Sequence, residues 1–267
     1  MDVRDTVRNH YGRSGLTGTI LDALSRAGID TDALTVADLA PLDELHAGGR
    51  LATEYLLGRL ELHPGHRLLD VGCGIGGPSR LAASSYPVDV IGIDLSPEFV
   101  ATATALTGRV GLSDRVGHRE ESGESLSFDD ASFDRAMMIH VGMNVPDKRS
   151  VFADVRRVLK PEGLFGLFEQ MRTGEGALQY PLPWAEDESS SFVETVDEYV
   201  AALTGAGFAV ELVEDRTAEV SGPPPASSSG VTAVAVFGPE FPRRIGNNVA
   251  ATQAGLLGAV LILARAV

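Results

Sequence analysis

Apolar and polar positions fall into two regimes along the chain. In residues 1–63 the apolar positions recur at three- and four-residue spacing, over Thr19 to Ala27 and again over Leu51 to Leu62, which predicts helices. Gly28 and the cluster Ala47-Gly48-Gly49 break them. From Arg67 onward, short apolar runs alternate with helical stretches. The runs are Arg67–Gly72, Val88–Asp94, Phe133–Ile139, Gly163–Glu169 and Phe208–Asp215, with a weaker one at Arg115–His118. Strands that alternate with helices predict a mostly parallel sheet covered on both faces. The alternation stops after Asp215. Residues 221–230, rich in Pro, Ser and Gly, predict a loop. A helical stretch near Arg243 to Ala254 follows, and Leu256 to Ala264 returns as a strand. The expected organisation is therefore an N-terminal helical cap over 1–63 and an α/β domain over 64–267.

Composition narrows the partners. Hydrophobic residues make up 44% of the 267 positions, enough for a sizeable core. The formal net charge of -15 gives no basic footprint for nucleic acid or for an anionic membrane surface, so neither is expected as a partner. The longest apolar run, Ala254 to Ala264, falls short of the roughly 20 residues that span a bilayer. A single cysteine, Cys73, cannot form an internal disulfide, and no Cys/His spacing predicts a metal site. Met1 to His10 lacks the apolar core of a signal peptide. A cytoplasmic location is the expectation, and no oligomeric state is implied.

The strongest chemical signal is Leu68-Leu69-Asp70-Val71-Gly72-Cys73-Gly74-Ile75-Gly76-Gly77, between an apolar strand and a helix at Ser79 to Ser84. Glycines there allow a sharp turn and a close backbone approach to a ligand, and the helix start offers free N–H groups. Asp94 ends the next strand, where an acid can accept hydrogen bonds from ribose hydroxyls. Gly72, Gly74 and Gly77 also fit the dinucleotide fingerprint of nicotinamide enzymes. Asp70 weighs against that reading. A carboxylate two residues before the first glycine repels a pyrophosphate but favours a ligand carrying a sulfonium and an ammonium.

Asp70-Val71-Gly72-Cys73-Gly74-Ile75-Gly76-Gly77 resembles the first motif of class I S-adenosylmethionine methyltransferases, and Ile91-Gly92-Ile93-Asp94-Leu95-Ser96 the second. Ser132-Phe133-Asp134 and the stretch Arg157 to Leu164 resemble later motifs. The likeness covers about residues 45–215 and is nearest to the branch containing sterol, ubiquinone and phosphoethanolamine methyltransferases. It implies a Rossmann-like, seven-stranded, mostly parallel sheet with an antiparallel last strand. It also implies S-adenosylmethionine as cofactor, with Gly72, Cys73, Gly74 and Gly76 along its methionine and ribose, Asp94 on the ribose hydroxyls and Leu95 on the adenine. Many relatives carry an aspartate that caps the adenine amine. Here Ser122, beside Gly123, stands in that place. Leu45 to Glu54 resembles the Gly-Gly segment of phosphoethanolamine-type enzymes, which makes Gly48 a candidate contact at the methionine end.

Methyl transfer requires alignment, exclusion of water and, for some acceptors, a proton acceptor. His140 directly follows a strand, at the sheet end where ligands bind. With an ordinary pKa of about 6.5 an imidazole there suits a general base, and the alternative is a histidine that holds the cofactor or a loop. Asn144 stands where several relatives have a substrate-facing histidine, and it cannot act as a base. Tyr11 and His46 in the cap, and Trp184 in Tyr180-Pro181-Leu182-Pro183-Trp184, are further substrate-facing candidates. Segment 174–191 is the expected lid. Two other functions share the glycine loop: a nicotinamide-dependent oxidoreductase, and a protein that keeps the cofactor pocket but acts as a cyclase or binder.

Overall fold

A computed structural model of the chain describes residues 15–44, 46–220 and 234–267. Tyr11 and the predicted loop 221–230 lie outside them. The N-terminal region forms α1 (Leu16–Arg26), α2 (Val36–Asp43) and α3 (Gly49–Arg59). The alternating region forms β1 (Arg67–Val71), α4 (Gly77–Ser85), β2 (Asp89–Asp94), α5 (Pro97–Arg109), β3 (Val116–Glu120), β4 (Phe133–Ile139), α6 (Lys148–Val158), β5 (Leu159–Arg172), α7 (Val196–Gly205) and β6 (Phe208–Asp215). Two one-turn helices, α8 (Thr217–Val220) and α9 (Val234–Phe237), then α10 (Phe241–Gln253) and β7 (Leu257–Ala266), complete it.

The seven strands form one sheet in the order β3-β2-β1-β4-β5-β7-β6. The first five in that order run parallel, and β7 is antiparallel to both its neighbours, as expected. The chain reverses its direction of travel across the sheet between β3 and β4. The carboxyl ends of β1 and β4 therefore flank the crevice where ligands of open α/β sheets bind.

Strand alternation divides the core. One face of the sheet presents Met138, Phe165, Leu167 and Met171 to Phe152 of α6 and Leu203 of α7. The other presents Leu68, Met137, Ile139, Leu164 and Phe168 to Leu56 and Leu57 of α3, to Leu60 that caps it and to Leu81 of α4. The N-terminal helices are thus part of the core. Leu56 and Leu60 seat on Gly166 of β5, where a Cβ would collide with the Leu56 side chain. Leu16, Ile20 and Leu24 of α1 pack with Ile75, Phe99 and Leu106. A wholly buried ion pair joins Asp43, at the end of α2, to Arg80 of α4. Arg80 also donates to the Thr107 hydroxyl at 3.2 Å.

Segment 174–191 is likewise tied down. Leu182, Trp184 and Ala185 are buried with Met143, Ala251 and Leu257. The Trp184 indole donates to Ser191 Oγ at 2.9 Å, and Asn247 of α10 donates to the Pro181 carbonyl at 2.9 Å. Element boundaries moved by a few residues from expectation. The largest change is β5, which starts at Leu159 rather than Gly163 because Leu159 pairs with Phe133 before the register shifts.

Candidate active site

The glycine loop leaves β1 with Gly72, Gly74 and Gly76 all in the left-handed region, at φ 75°, 53° and 83°. An L side chain at Gly72 would also run into Val141, just beyond the end of β4. Gly76 caps α4, so the loop delivers the first amides of that helix. Asp94 ends β2 beside the loop. Its carboxylate accepts from the Gly74 amide at 2.9 Å and from the Ser96 amide at 2.9 Å. Burial pushes the Asp94 carboxyl up to about 6, while these amides hold it down. Cys73 is buried against Gly92, and burial raises its thiol well above the ordinary range.

Asp70 is only 1% exposed. The Ser79 hydroxyl donates to it at 2.6 Å. Burial pushes its carboxyl up to about 7, and the nearby Glu44 and Asp94 charges add to the rise. Asp70 therefore lies inside the loop rather than on its surface.

On the far side of β1, the Ile139 end of β4 turns sharply. By alternation residue 140 belongs with Met138 on the α6/α7 face. Instead His140 adopts φ 53°, and its ring lies 5.4 Å from Phe168 and 5.4 Å from His46, on the α3/α4 face. Its Nε2 is sealed from solvent with no partner among the described residues. Burial, reinforced by His46, holds the His140 imidazole well below the ordinary histidine range. This direction favours the neutral ring and makes it a weaker proton acceptor than an ordinary, mid-range histidine.

His46 comes from the segment between α2 and α3. Its Nε2 lies 2.9 Å from Glu44 Oε2 and 3.0 Å from Thr53 Oγ1, and its Nδ1 lies 3.1 Å from the Ala47 carbonyl. Gly48, at φ 78°, starts α3 directly afterwards, and a Cβ there would fall 2.6 Å from Val220 Cγ1. Asn144 closes a single 3-10 turn, Gly142–Asn144, through its amide to the Val141 carbonyl at 2.9 Å. Ser122 accepts from the Glu124 amide at 3.3 Å, and Gly123 packs beside Val71 and Val151. Trp184 is buried in the cluster with Met143.

Two buried polar side chains on β5 were not singled out by the sequence pattern. Glu169 accepts from the Val141 amide at 3.0 Å and from the Gly142 amide at 3.1 Å. Gln170, two residues beyond Phe168 on the same strand face, is 3% exposed, and its Oε1 has no partner among the described residues. Both lie in an apolar run, where a strand-end signal could have flagged them. Orphaned buried polar atoms such as His140 Nε2 and Gln170 Oε1 point to a ligand that completes them.

The loop, Asp94 and α4 fit S-adenosylmethionine: open space beside Gly74, a carboxylate for hydroxyls and, among the described residues, no lysine or arginine side chain hydrogen-bonded to the loop to hold a pyrophosphate. Among the described residues no cluster of His, Cys, Asp and Glu could hold a metal, and no helix is long and apolar enough to cross a membrane.

Comparison with known proteins agrees with this geometry. The methyltransferase domain family matches residues 69–167. A sterol 24-C-methyltransferase of Gibberella zeae is 29% identical over 179 residues, covering 64% of this chain and 47% of the relative. The chain thus spans about half the length of that enzyme. The fold is shared with the geranyl diphosphate C-methyltransferase of Streptomyces coelicolor A3(2), solved with geranyl diphosphate and S-adenosyl-L-homocysteine (TM-score 0.71, 17% identity, 100% of this chain and 98% of that one). It is also shared with the [4+2]-cyclase SpnF (TM-score 0.70, 21% identity, 99% and 96%). Residues 69–167 thus match the methyltransferase domain family, and the chain shares the fold of these solved structures.

Proposed function

We propose that the protein transfers the methyl group of S-adenosylmethionine to a small-molecule acceptor with a largely apolar skeleton. The single observation that carries this reading is the Gly74–Asp94 hydrogen bond at the carboxyl ends of β1 and β2, with His140 across β1 on the next strand. The cofactor supplies an activated methyl group. The glycine loop and Asp94 bind it, with Leu95 beside the adenine and Ser122 and Gly123 at its edge. Asp70 contributes negative potential from inside the loop, and Gly48 and Cys73 line the methionine end.

The acceptor lies against Phe168, His46 and His140. His140 Nε2 and Gln170 Oε1 are the polar atoms that orient it on an apolar face. A neutral, buried imidazole aligns an acceptor better than it takes up a proton, so proximity and exclusion of water supply most of the acceleration. The α2–α3 segment and segment 174–191 cover this end of the sheet and keep it dry. Isothermal titration with S-adenosylmethionine and S-adenosylhomocysteine, against NAD and NADP as controls, tests the cofactor. A mass-spectrometric screen for a product heavier by one methyl group tests the transfer.

The weak base at position 140 favours one second reading, a cofactor-retaining cyclase or binding protein. The two differ in fate of the cofactor. A methyltransferase converts S-adenosylmethionine to S-adenosylhomocysteine in step with product, and a cyclase leaves it intact.

A further inference from the structure

His140 owes its orientation to a backbone conformation that a histidine rarely adopts. A left-handed φ in a non-glycine residue costs roughly 1–2 kcal/mol and persists only where its surroundings impose it. His140 at φ 53° is followed by Val141 at φ -115°, ψ -38°, the right-handed region. A left-handed residue followed by a right-handed one turns successive amides into a concavity that binds an anion. Here the anion comes from the next strand. Ile139 pairs with Phe168 in the sheet, and His140 donates its own amide to the Phe168 carbonyl at 2.8 Å. The following residue, Glu169, is fully buried on the α6/α7 face. Its Oε1 accepts from Val141 and Gly142, and its Oε2 accepts from Gly142 at 3.1 Å.

We propose that Glu169 is the positioning residue for His140: its carboxylate, seated on the Val141 and Gly142 amides, holds the turn that swings the imidazole to the acceptor side of the sheet. This rests on the reading that His140 faces the methyl acceptor. Without the carboxylate the two amides lose their acceptor, and the left-handed conformation of residue 140 loses the charge that favours it.

The groups facing Glu169 are few. Lys148 of α6 and Tyr199 of α7 approach it, and Glu194 lies 3.3 Å from the Lys148 ammonium, with Glu198 on the same α7. His46 and His140 lie beyond the turn on the opposite face. Burial pushes the Glu169 carboxyl up to about 8, against the pull of the two amides and of Lys148. Protonation at Oε2 removes the negative charge that faces the two amides, while Oε1 still accepts from both. The turn is therefore held more strongly above that transition than below it.

The test uses the full chain labelled with 15N-histidine and saturated with S-adenosylhomocysteine. Ring-nitrogen signals are followed from mildly acidic to alkaline pH, with His140 identified by its loss in His140→Asn. The expected result is an inflection of the His140 signals near the Glu169 transition that survives His46→Asn. In Glu169→Gln the inflection disappears and the ring titrates like a solvated histidine, while S-adenosylhomocysteine affinity is unchanged. An absent inflection, one lost in His46→Asn, or a Glu169→Gln spectrum superimposable on wild type would overturn the proposal. Should Glu169→Gln fail to fold, the wild-type and His46→Asn series decide alone. A failed methyl-transfer screen bears on the reading of the acceptor site and leaves this coupling intact, so the two failures are distinguishable.

Discussion

The Gly74 amide donates to the Asp94 carboxylate across 2.9 Å, so the glycine loop and the acid at the end of β2 form one unit. Removing the acid withdraws the hydroxyl acceptor and the brace of the loop together. Asp94→Ala is expected to weaken S-adenosylhomocysteine binding by at least the ~1.5–3 kcal/mol of a charge-assisted hydrogen bond. Isothermal titration checks it, and unchanged affinity would remove Asp94 from the ribose.

Asp43 and Arg80 form a wholly buried pair between α2 and α4. Asp43→Ala strands the guanidinium, which is expected to destabilise the fold by roughly 3–5 kcal/mol. Chemical denaturation measures it. A loss under about 1 kcal/mol would mean that Thr107 and water suffice for Arg80.

His118 of β3 faces Gly76 and Arg80, and both its ring nitrogens lack partners among the described residues. Burial, with Arg80 adding to it, lowers its pKa from 6.5 to about 4. The unfolded chain therefore takes up this proton first as pH falls. Stability contributed by the neutral ring is complete above pH 6.5 and drains away down to about 4, by up to ~3 kcal/mol. Melting curves of wild type and His118→Gln across that window should converge toward acid. Parallel curves would show that the ring titrates normally.

His140 sits below the histidine range for the same reason, with His46 beside it. The pH profile of kcat/KM is expected to show no inflection from protonation of the His140 ring between pH 6 and 8, apart from the Glu169 transition near 8. His140→Ala should slow turnover by less than the roughly 10²–10⁴-fold that a general base supplies. An acidic limb in the profile that vanishes in His140→Ala would restore the base.

How much of this the sequence revealed follows from how local each feature is. The glycine loop, Asp94 and the strand–helix alternation are spelled by neighbouring residues, and they stand where expected. The β7 strand was legible because its run is long and apolar, and its antiparallel direction was implied by the resemblance to class I S-adenosylmethionine methyltransferases. The burial of Asp70 was not legible, since its partner Ser79 belongs to the next helix and the seal over both comes from tertiary packing. Glu169 was hidden in an apolar strand, where only the neighbouring turn gives its charge a role. The N-terminal segment read as a cap because its helices are amphipathic, and periodicity does not say which partner a face meets. Leu56 and Leu60 meet the sheet itself, while Leu16 and Ile20 share a core with Phe99. A truncation through residue 30 would open that core as well as any cover over the ligand.

The left-handed histidine has a bearing on how this protein could be altered. Glycine accepts φ 53° without steric penalty, and asparagine tolerates it better than most. A stability-guided redesign would therefore favour His140→Gly or His140→Asn by about 1 kcal/mol and would discard the imidazole in doing so. Position 140 is a place where thermal robustness and the handling of an acceptor pull in opposite directions. Variants recovered by heat selection alone should drift there first.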